Sequence, residues 1–350
     1  MQIPEQRYVD VLLEDLSLDI TEHEYRPLVS IFMGGGTPSL FSPESIARLL
    51  AEIKVRLPVS PDLEITLEAN PGTIEHGRFA AYRDAGVNRV SLGAQSFDPR
   101  QLNQLGRIHG KDDIAMAVDE IRRAGIDNFN LDLMYGLSGQ NVEAALSDLH
   151  QAIALSPTHI SHYQLTLEPG TPFFHRPPQL PDDEDCYAMQ MECQAVLAAA
   201  GFRQYEVSAY AQAGCQSVHN MNYWQFGDYL GIGAGAHGKL TRNGHIMRTE
   251  RQKQPRQYLL SSAQQRVVLN APVASAELPF EFMLNALRLR EGFTQSLFVQ
   301  RTGLEWATIA SQLATAQQRG LLELGPDSVW LPTELGRRFL NDLVSLFLDR

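Results

Sequence analysis

Residues 63–72 read Leu-Glu-Ile-Thr-Leu-Glu-Ala-Asn-Pro-Gly, an apolar strand-like run that ends in a carboxylate, an amide and a turn. Residues 89–95 and 128–133 repeat this order, with an apolar run that carries a polar residue at or near its end. Helix-like segments separate these runs, and each strand–helix repeat takes about 30 residues. This alternation predicts an α/β fold with a parallel sheet and crossover helices.

Polar side chains lie at or just beyond the carboxyl ends of four successive predicted strands. The carboxyl ends of parallel strands meet at the ligand site of a barrel or an open sheet. Gly34 to Gly36 follow another predicted strand, Leu28 to Met33, where missing side chains let backbone groups approach a ligand. The sequence therefore predicts one ligand site, built on the glycines and on the polar residues Glu68, Gln95, Asp132 and Thr166.

Composition and charge exclude several classes of protein. With 44% apolar and 20% charged residues the chain has the composition of a globular protein, and its formal charge of -12 argues against a nucleic-acid surface. We found no apolar stretch of the roughly 18–20 residues that span a bilayer and no secretory signal at the start, so we expect a cytoplasmic protein. The three cysteines are too few for a disulfide framework and form no C-x-x-C motif, so we expect free thiols at Cys186, Cys193 and Cys215.

The chain is predicted to have three parts. Residues 1–240 hold the strand–helix repeats, residues 241–278 form a polar connector, and residues 279–350 form a helical domain. In this last part three apolar-periodic helices precede a hairpin around Gly325-Pro326-Asp327, an order that resembles a winged-helix fold. The acidic composition favours a lid or a docking role for this domain over DNA binding.

Six short motifs occur along the chain: GGGTPS at 34–39, EANP at 68–71, GAQSF at 93–97, LGRIH at 105–109, NLDLMYGL at 130–137 and HNMNYW at 219–224. Their order resembles that in oxygen-independent coproporphyrinogen III oxidases and their HemW relatives, which are radical S-adenosylmethionine (SAM) proteins. The resemblance extends from about Tyr8 to the C-terminus, and the last motif resembles the H-N-x-x-Y-W signature of the HemW branch.

The resemblance implies a partial parallel (β/α) barrel of radical SAM type, followed by a C-terminal helical, winged-helix-like domain. It also implies a SAM site. Gly35, Gly36 and Thr37 would contact the amino-acid end of SAM, and Arg107 would grip the methionine carboxylate with its planar fork of donors. The other implied contacts are Glu68 to the ribose or amino group, Gln95 and Asp132 in the second half of the nucleotide pocket, and Thr166 more weakly.

Family members hold a [4Fe–4S] cluster on a C-x-x-x-C-x-x-C loop after the first strand, where it cleaves SAM to a 5′-deoxyadenosyl radical. This chain starts just before the helix that should follow that loop, so it offers no metal ligands for the cluster. A mis-assigned start and a genuinely cluster-less paralogue both account for this. The first is favoured, because a chain without a cluster has little physical reason to keep the other cofactor motifs.

The H-N-x-x-Y-W motif predicts haem binding, with His219 as an iron ligand. Imidazole is a common axial ligand of haem, Asn220 would orient its second nitrogen, and Tyr223 and Trp224 would pack on the porphyrin. The alternative is a histidine that holds a loop against the barrel. His237 is a lesser candidate for the ligand.

Three functions follow from these expectations. The motif favours a haem chaperone that binds haem and SAM and passes haem to acceptor proteins. The alternatives are a coproporphyrinogen III oxidase, which decarboxylates two propionates, and a cluster-less binding scaffold, so enzymatic activity stays open. Expected partners are haem and haem-acceptor proteins but no nucleic acid, and membrane contact would occur only through an acceptor.

Overall fold

The computed structural model of the protein describes residues 4–20, 26–73 and 77–348. The chain divides into two compact units. The barrel unit consists of Leu28–Leu50 and Ser60–Gln216. The C-terminal unit consists of Met1–Pro27, Ala51–Val59 and Ser217–Arg350. The three-part division at residues 240 and 278 stays a prediction.

Strands and helices alternate through the first half of the chain. The strands are β1 (Leu28–Met33), β2 (Val59–Ala69), β3 (Arg89–Gln95), β4 (Asn128–Tyr135), β5 (His159–Gln164), β6 (Arg203–Glu206), β7 (Ala209–Ala211), β8 (His237–Arg242), β9 (His245–Arg251), β10 (Val267–Pro272), β11 (Phe293–Thr294), β12 (Leu322–Leu324) and β13 (Val329–Pro332). The helices are α1 (Glu5–Ile20), α2 (Pro43–Arg56), α3 (Arg78–Ala85), α4 (Pro99–Gln104), α5 (Lys111–Arg123), α6 (Val142–Ala154), α7 (Pro172–His175), α8 (Asp183–Ala199), α9 (Val218–Trp224), α10 (Pro255–Leu260), α11 (Ala263–Arg266), α12 (Leu278–Ala286), α13 (Gln295–Thr302), α14 (Ala310–Gln318), α15 (Glu334–Arg338) and α16 (Leu340–Ser345).

The barrel unit is built on a seven-stranded sheet of order β1-β2-β3-β4-β5-β7-β6. Strands β2 to β5 pair in parallel, whereas β7 pairs antiparallel with both β5 and β6. Every residue of β3 is buried, as expected for a central strand of a parallel sheet that is covered on both faces. The predicted α/β class with a mainly parallel sheet is confirmed.

Amphipathic helices connect the parallel strands. In α5 the residues Ile114, Ala117, Val118 and Ile121 are buried, and their spacing of three and four places them on one face. The helix ends just before Gly125, whose φ of +74° is a left-handed conformation that glycine adopts without strain.

The end of the barrel sheet differs from the sequence-based expectation. The alternating apolar residues from Gln204 to Tyr210 predict one more strand from the sequence, but the chain forms the two short antiparallel strands β6 and β7. The turn between them is held by Glu206, whose Oε1 accepts hydrogen bonds from the backbone N–H of Ser208 at 3.1 Å and from its hydroxyl at 2.8 Å. This local side-chain bond competes with continued extension of the strand.

The C-terminal unit contains two small antiparallel sheets, β10-β9-β8 and β11-β13-β12. Helices α12 to α14 precede the β12–β13 hairpin, which is the predicted order of a winged-helix-like module. The core of this module is aromatic. The ring of Phe282 packs edge-on against Phe293 and Phe298, with ring centroids 5.4 Å and 5.2 Å apart. The segment 241–278, which was expected to be a connector, consists largely of regular structure. It contains the strands β9 and β10 and the helices α10 and α11.

A buried ion cluster holds α1 within the C-terminal unit. The guanidinium of Arg251 is fully buried and donates to Asp15 at 2.6 Å and to Asp19 at 2.7 Å. Asp15 also accepts from the hydroxyl of Tyr258 at 2.9 Å and from the backbone N–H of Gly233 at 3.3 Å. These bonds satisfy two carboxylates that would otherwise be costly to remove from water.

Among the described residues, no helix is long and apolar enough to cross a membrane.

We predict that Arg251→Met destabilises the protein by about 3–5 kcal/mol, because it leaves the carboxylates of Asp15 and Asp19 buried without their cation. Urea denaturation followed by circular dichroism measures this loss. Arg7→Met is the matched control, since the Arg7–Glu14 pair is half-exposed and its removal is expected to cost less than about 1 kcal/mol. Equal effects of the two substitutions would show that the buried cluster does not hold the fold.

Candidate functional site

The glycines after β1 allow a close approach to Glu68 at the end of β2. A Cβ atom at Gly34 would lie 2.9 Å from the carboxyl carbon of Glu68 and 2.5 Å from the ring of Phe32. Gly35 and Gly36 follow with φ of +79° and +73°, and the N–H of Gly35 donates to Glu68 Oε2 at 3.0 Å. Consecutive left-handed residues point backbone N–H groups into one concavity, which favours an anionic or carbonyl ligand.

Asn70 links two of the predicted site residues, Thr37 and Arg107, although it was not itself predicted as one. Its amide donates to the hydroxyl of Thr37 at 3.2 Å, and its oxygen accepts from Arg107 Nη1 at 3.5 Å. A Cβ at Gly93 would lie 3.2 Å from that oxygen and 3.1 Å from the amide nitrogen of Gln95. The Glu-Ala-Asn-Pro motif contained this residue, but its orienting role follows only from the contacts.

Asp132 lies inside β4 rather than at its end, because the strand continues to Tyr135. Its carboxylate accepts from Asn130 Nδ2 at 2.7 Å and from the hydroxyl of Ser91 at 3.5 Å. Burial raises the pKa of Asp132, and the hydrogen bonds from Asn130 and Ser161 only partly oppose this. The side chain is thus a desolvated acid at the register level of Ser161 on β5.

Glu68 and Asp132 face one pocket together with Gln95, Arg107 and Tyr163. Burial raises the pKa of Glu68, and the charge of Asp132 raises it further. Tyr163 donates to Gln95 Oε1 at 2.7 Å, and its pKa is raised by burial and then by Asp132, while Arg107 lowers it. The structure thus brings five side chains from five segments together, and Tyr163 is a member that sequence reasoning missed.

Gln95 is held in an unusual conformation. It is 5% exposed and has a φ of +68°, a left-handed value that is uncommon for residues other than glycine. The following loop is fixed by Asp148, which accepts from the hydroxyl of Ser96 at 2.6 Å and from the N–H of Phe97 at 2.8 Å. Strain of this kind persists where surrounding contacts determine the backbone, and it is frequent at ligand sites.

The observed hydrogen bond of Thr166 does not connect it to the cluster of Glu68, Gln95, Arg107, Asp132 and Tyr163. It lies beyond the end of β5, is exposed, and donates to Glu168 Oε1 at 3.0 Å. Its role at the site stays a prediction, whereas the other residues of the pocket are already in contact. The pocket therefore offers two carboxyls, one guanidinium, two amides and a backbone concavity. This donor and acceptor set fits an amino acid joined to a ribose.

The described residues contain no group of three or more histidine, cysteine or acidic side chains that could hold a metal ion. Cys186 and Cys193 are buried on α8, and burial raises the pKa of Cys193 to about 12. A cluster needs thiolates, so these residues do not fit a [4Fe–4S] centre. We derive no step through such a centre.

The H-N-x-x-Y-W motif forms α9 in the C-terminal unit. Its first turn is capped by Ser217, which accepts from the N–H of Asn220 at 3.3 Å. His219 and Tyr223 are four residues apart on the helix, with ring centroids 4.9 Å apart. His237, the lesser candidate, is exposed and lies 3.6 Å from a carboxylate oxygen of Glu250.

The aromatic faces beside His219 are partly covered. Tyr223 stacks on Tyr229 with ring centroids 4.2 Å apart, and the guanidinium of Arg288 lies 4.3 Å from the ring of Trp224. One face of each ring is therefore taken by a protein neighbour. Packing of a porphyrin on Tyr223 or Trp224 would have to use the remaining face or the ring edge. That packing and the orienting role of Asn220 stay predictions.

Two family models match the chain. The model described as Radical SAM superfamily matches residues 3–152, and the model described as HemN C-terminal domain matches residues 273–339. The heme chaperone HemW of Haemophilus influenzae is 48% identical over 351 residues, which cover 99% of this chain and 91% of that protein. The heme chaperone HemW of Escherichia coli is 46% identical over 348 residues with the same coverage.

A solved structure shows the same fold. Coproporphyrinogen III oxidase (HemN) from Escherichia coli, a radical SAM enzyme, matches with a TM-score of 0.81, covering 99% of this chain and 84% of that one. At 20% identity this likeness concerns the fold alone. It confirms the predicted partial barrel of radical SAM type with its C-terminal domain.

We predict that Asp132→Asn stabilises the protein increasingly as pH rises above 4. The folded chain keeps the Asp132 proton above the unfolded-state pKa of about 3.9, so stability is lost as pH rises toward the raised folded-state pKa. The difference in unfolding free energy, variant minus wild type, should grow by about 1.4 kcal/mol per pH unit in that window and then level off. Urea denaturation from pH 4 to 8 tests this, with the exposed Asp62→Asn as control, and a difference that does not vary with pH would contradict it.

Proposed function

The chain belongs to the HemW family within the radical SAM proteins, and on this membership we propose that it is a heme chaperone that binds haem and passes it to acceptor proteins. Similarity over nearly the full length to two heme chaperones carries this proposal. The oxidase that shares the fold is only 20% identical, so no observation favours coproporphyrinogen oxidation. We further propose a cytoplasmic protein that has no nucleic-acid partner and meets a membrane only through an acceptor.

We propose that His219 binds the haem iron. The imidazole is half-buried on a helix and contacts the ring of Tyr223. This contact favours one orientation of the imidazole before haem binds. Haem is the cargo, and most of its affinity would come from burial of the porphyrin surface at roughly 25 cal/mol per Å². The iron bond then determines the position of the cargo more than the strength of its binding.

We propose that the pocket on the barrel sheet binds SAM, whose sulfonium bond is the one that radical SAM chemistry cleaves. Glu68 would accept hydrogen bonds from ribose hydroxyls or the ammonium, and Arg107 would pair with the methionine carboxylate. Gly35, Gly36 and Thr37 would receive the amino-acid end, and Gln95 and Asp132 would line the nucleotide half. The close approach of Gly34 to Glu68 and the contacts of Asn70 support this assignment.

We expect Arg107→Ala to weaken SAM binding by about 1.5–3 kcal/mol, because the methionine carboxylate loses a charged hydrogen bond. Isothermal calorimetry measures both affinities. Arg100→Ala is the matched control, because the Arg100 side chain lies on nearby α4, is 88% exposed and pairs with Asp98 on the surface. Equal affinities for wild type and Arg107→Ala would remove Arg107 from the SAM site.

We expect His219→Ala to shift the Soret band of the dithionite-reduced haem complex and to raise its dissociation constant without abolishing binding. The reason is that the iron loses its imidazole while the porphyrin surface stays buried. Absorption titration measures the effect, with His245→Ala on the exposed start of β9 as control. An unchanged spectrum and affinity would make His219 structural and direct the search to His237.

A further inference from the structure

Tyr229 occupies a fixed position next to the H-N-x-x-Y-W helix. Its backbone N–H and C=O both bond to Lys239 on β8, at 2.8 and 2.9 Å. Its ring stacks on Tyr223 with an interplanar angle of 24° and a centroid distance of 4.2 Å. Tyr223 in turn contacts His219, so Tyr229 and His219 are both neighbours of one ring.

The hydroxyl of Tyr229 receives a hydrogen bond from a cation. Arg248 Nη1 lies 2.7 Å from the phenol oxygen, and the other terminal nitrogen of Arg248 bonds to the carboxylate of Glu281. A guanidinium has donors only, so the Tyr229 oxygen must be the acceptor. The Tyr223 hydroxyl and Arg248 both lower the pKa of Tyr229, although burial raises it more strongly.

Other buried tyrosines of the chain are bonded in the opposite sense. Tyr82 donates to the backbone oxygens of Ser39 and Phe41, and Tyr258 donates to the carboxylate of Asp15. Those bonds require the neutral phenol. At Tyr229 a guanidinium and a second phenol donate to the oxygen, so both of these bonds are kept when the phenol loses its proton.

We propose that Tyr229 is a ligand of ferric haem iron, with Arg248 and Tyr223 as positioning residues. The inference rests on the proposed haem-binding function and names a second iron ligand for it. On binding, the phenol proton goes to solvent, an oxygen lone pair forms the iron–oxygen bond, and a water leaves the iron. Phenolate is an established protein ligand of haem iron, and hydrogen bonds from a cation offset its negative charge.

The two ligands differ in the oxidation state of iron that they favour. A phenolate is a hard anion and binds ferric iron in preference to ferrous, whereas neutral imidazole binds both. Ferric haem would therefore be held at Tyr229, and ferrous haem at His219. Both side chains contact the ring of Tyr223, so the two proposed ligands belong to one cluster of side chains.

The test is Tyr229→Phe, which removes the oxygen and keeps the stacked ring. With ferric haem, wild type should show a phenolate-to-iron charge-transfer band and high-spin ferric resonance. In the variant both signals should be lost and the dissociation constant should rise about tenfold, equivalent to about 1.4 kcal/mol. The affinity for dithionite-reduced haem should fall much less. His219→Ala should give the reverse pattern, and Tyr187→Phe on the half-exposed face of α8 is the control for a generic Tyr→Phe change.

The outcomes separate this inference from the proposed function. If wild type binds no haem in either state, the proposed function is wrong and the inference falls with it. If wild type binds ferric haem and Tyr229→Phe keeps its spectrum, the inference alone is overturned. Should Tyr229→Phe fail to fold by circular dichroism, Arg248→Met decides: a shifted charge-transfer band supports phenolate ligation, and an unshifted band overturns it.

Discussion

The close approach of Glu68 to Gly34 is the contact on which the rim of the barrel sheet depends. A side chain at position 34 would displace the Glu68 carboxyl, whose Cδ lies only 2.9 Å from the place of a Cβ there. The displaced carboxyl would lose its bond to Gly35, and the left-handed turn at Gly35 and Gly36 would lose its anchor. One missing side chain thus lets the ends of β1 and β2 form a single binding surface.

A second constraint at the same rim is electrostatic. Glu68 and Asp132 are carboxyls with raised pKa, and the charge of Asp132 raises the pKa of Glu68 beyond the effect of burial. Asn130 and Ser91 compensate Asp132 only in part, since hydrogen bonds do not replace the lost water. If the site binds SAM as proposed, the ligand's hydroxyls or ammonium would relieve this cost, and the free protein would give up stability in favour of binding.

Much of this could be predicted from the sequence, because strand ends have strong local signals. The glycine run and the polar residues after apolar runs located Glu68 and Gln95. Asn70 and Tyr163 were missed, since their roles depend on side-chain contacts between segments distant in the chain. The Arg251–Asp15 pair joins residues 236 positions apart, and no periodicity predicts such a contact. The polar segment 241–278 was read as a connector because its strands pair within a small sheet and lack an apolar run.

The C-terminal unit uses the same physical means for a different purpose. In the barrel unit a guanidinium helps to line a pocket, whereas Arg251 and Arg248 are held inside a network of acids and phenols. Such networks specify one arrangement of their members, because a half-satisfied charge in a low dielectric is costly. Arg248 therefore fixes the Tyr229 ring, Tyr229 fixes Tyr223, and Tyr223 limits the orientations of His219. A carrier that must release its cargo benefits when affinity and positioning come from different interactions. In the proposed haem site, porphyrin burial would supply the affinity, and the prearranged ligands would determine where the iron lies.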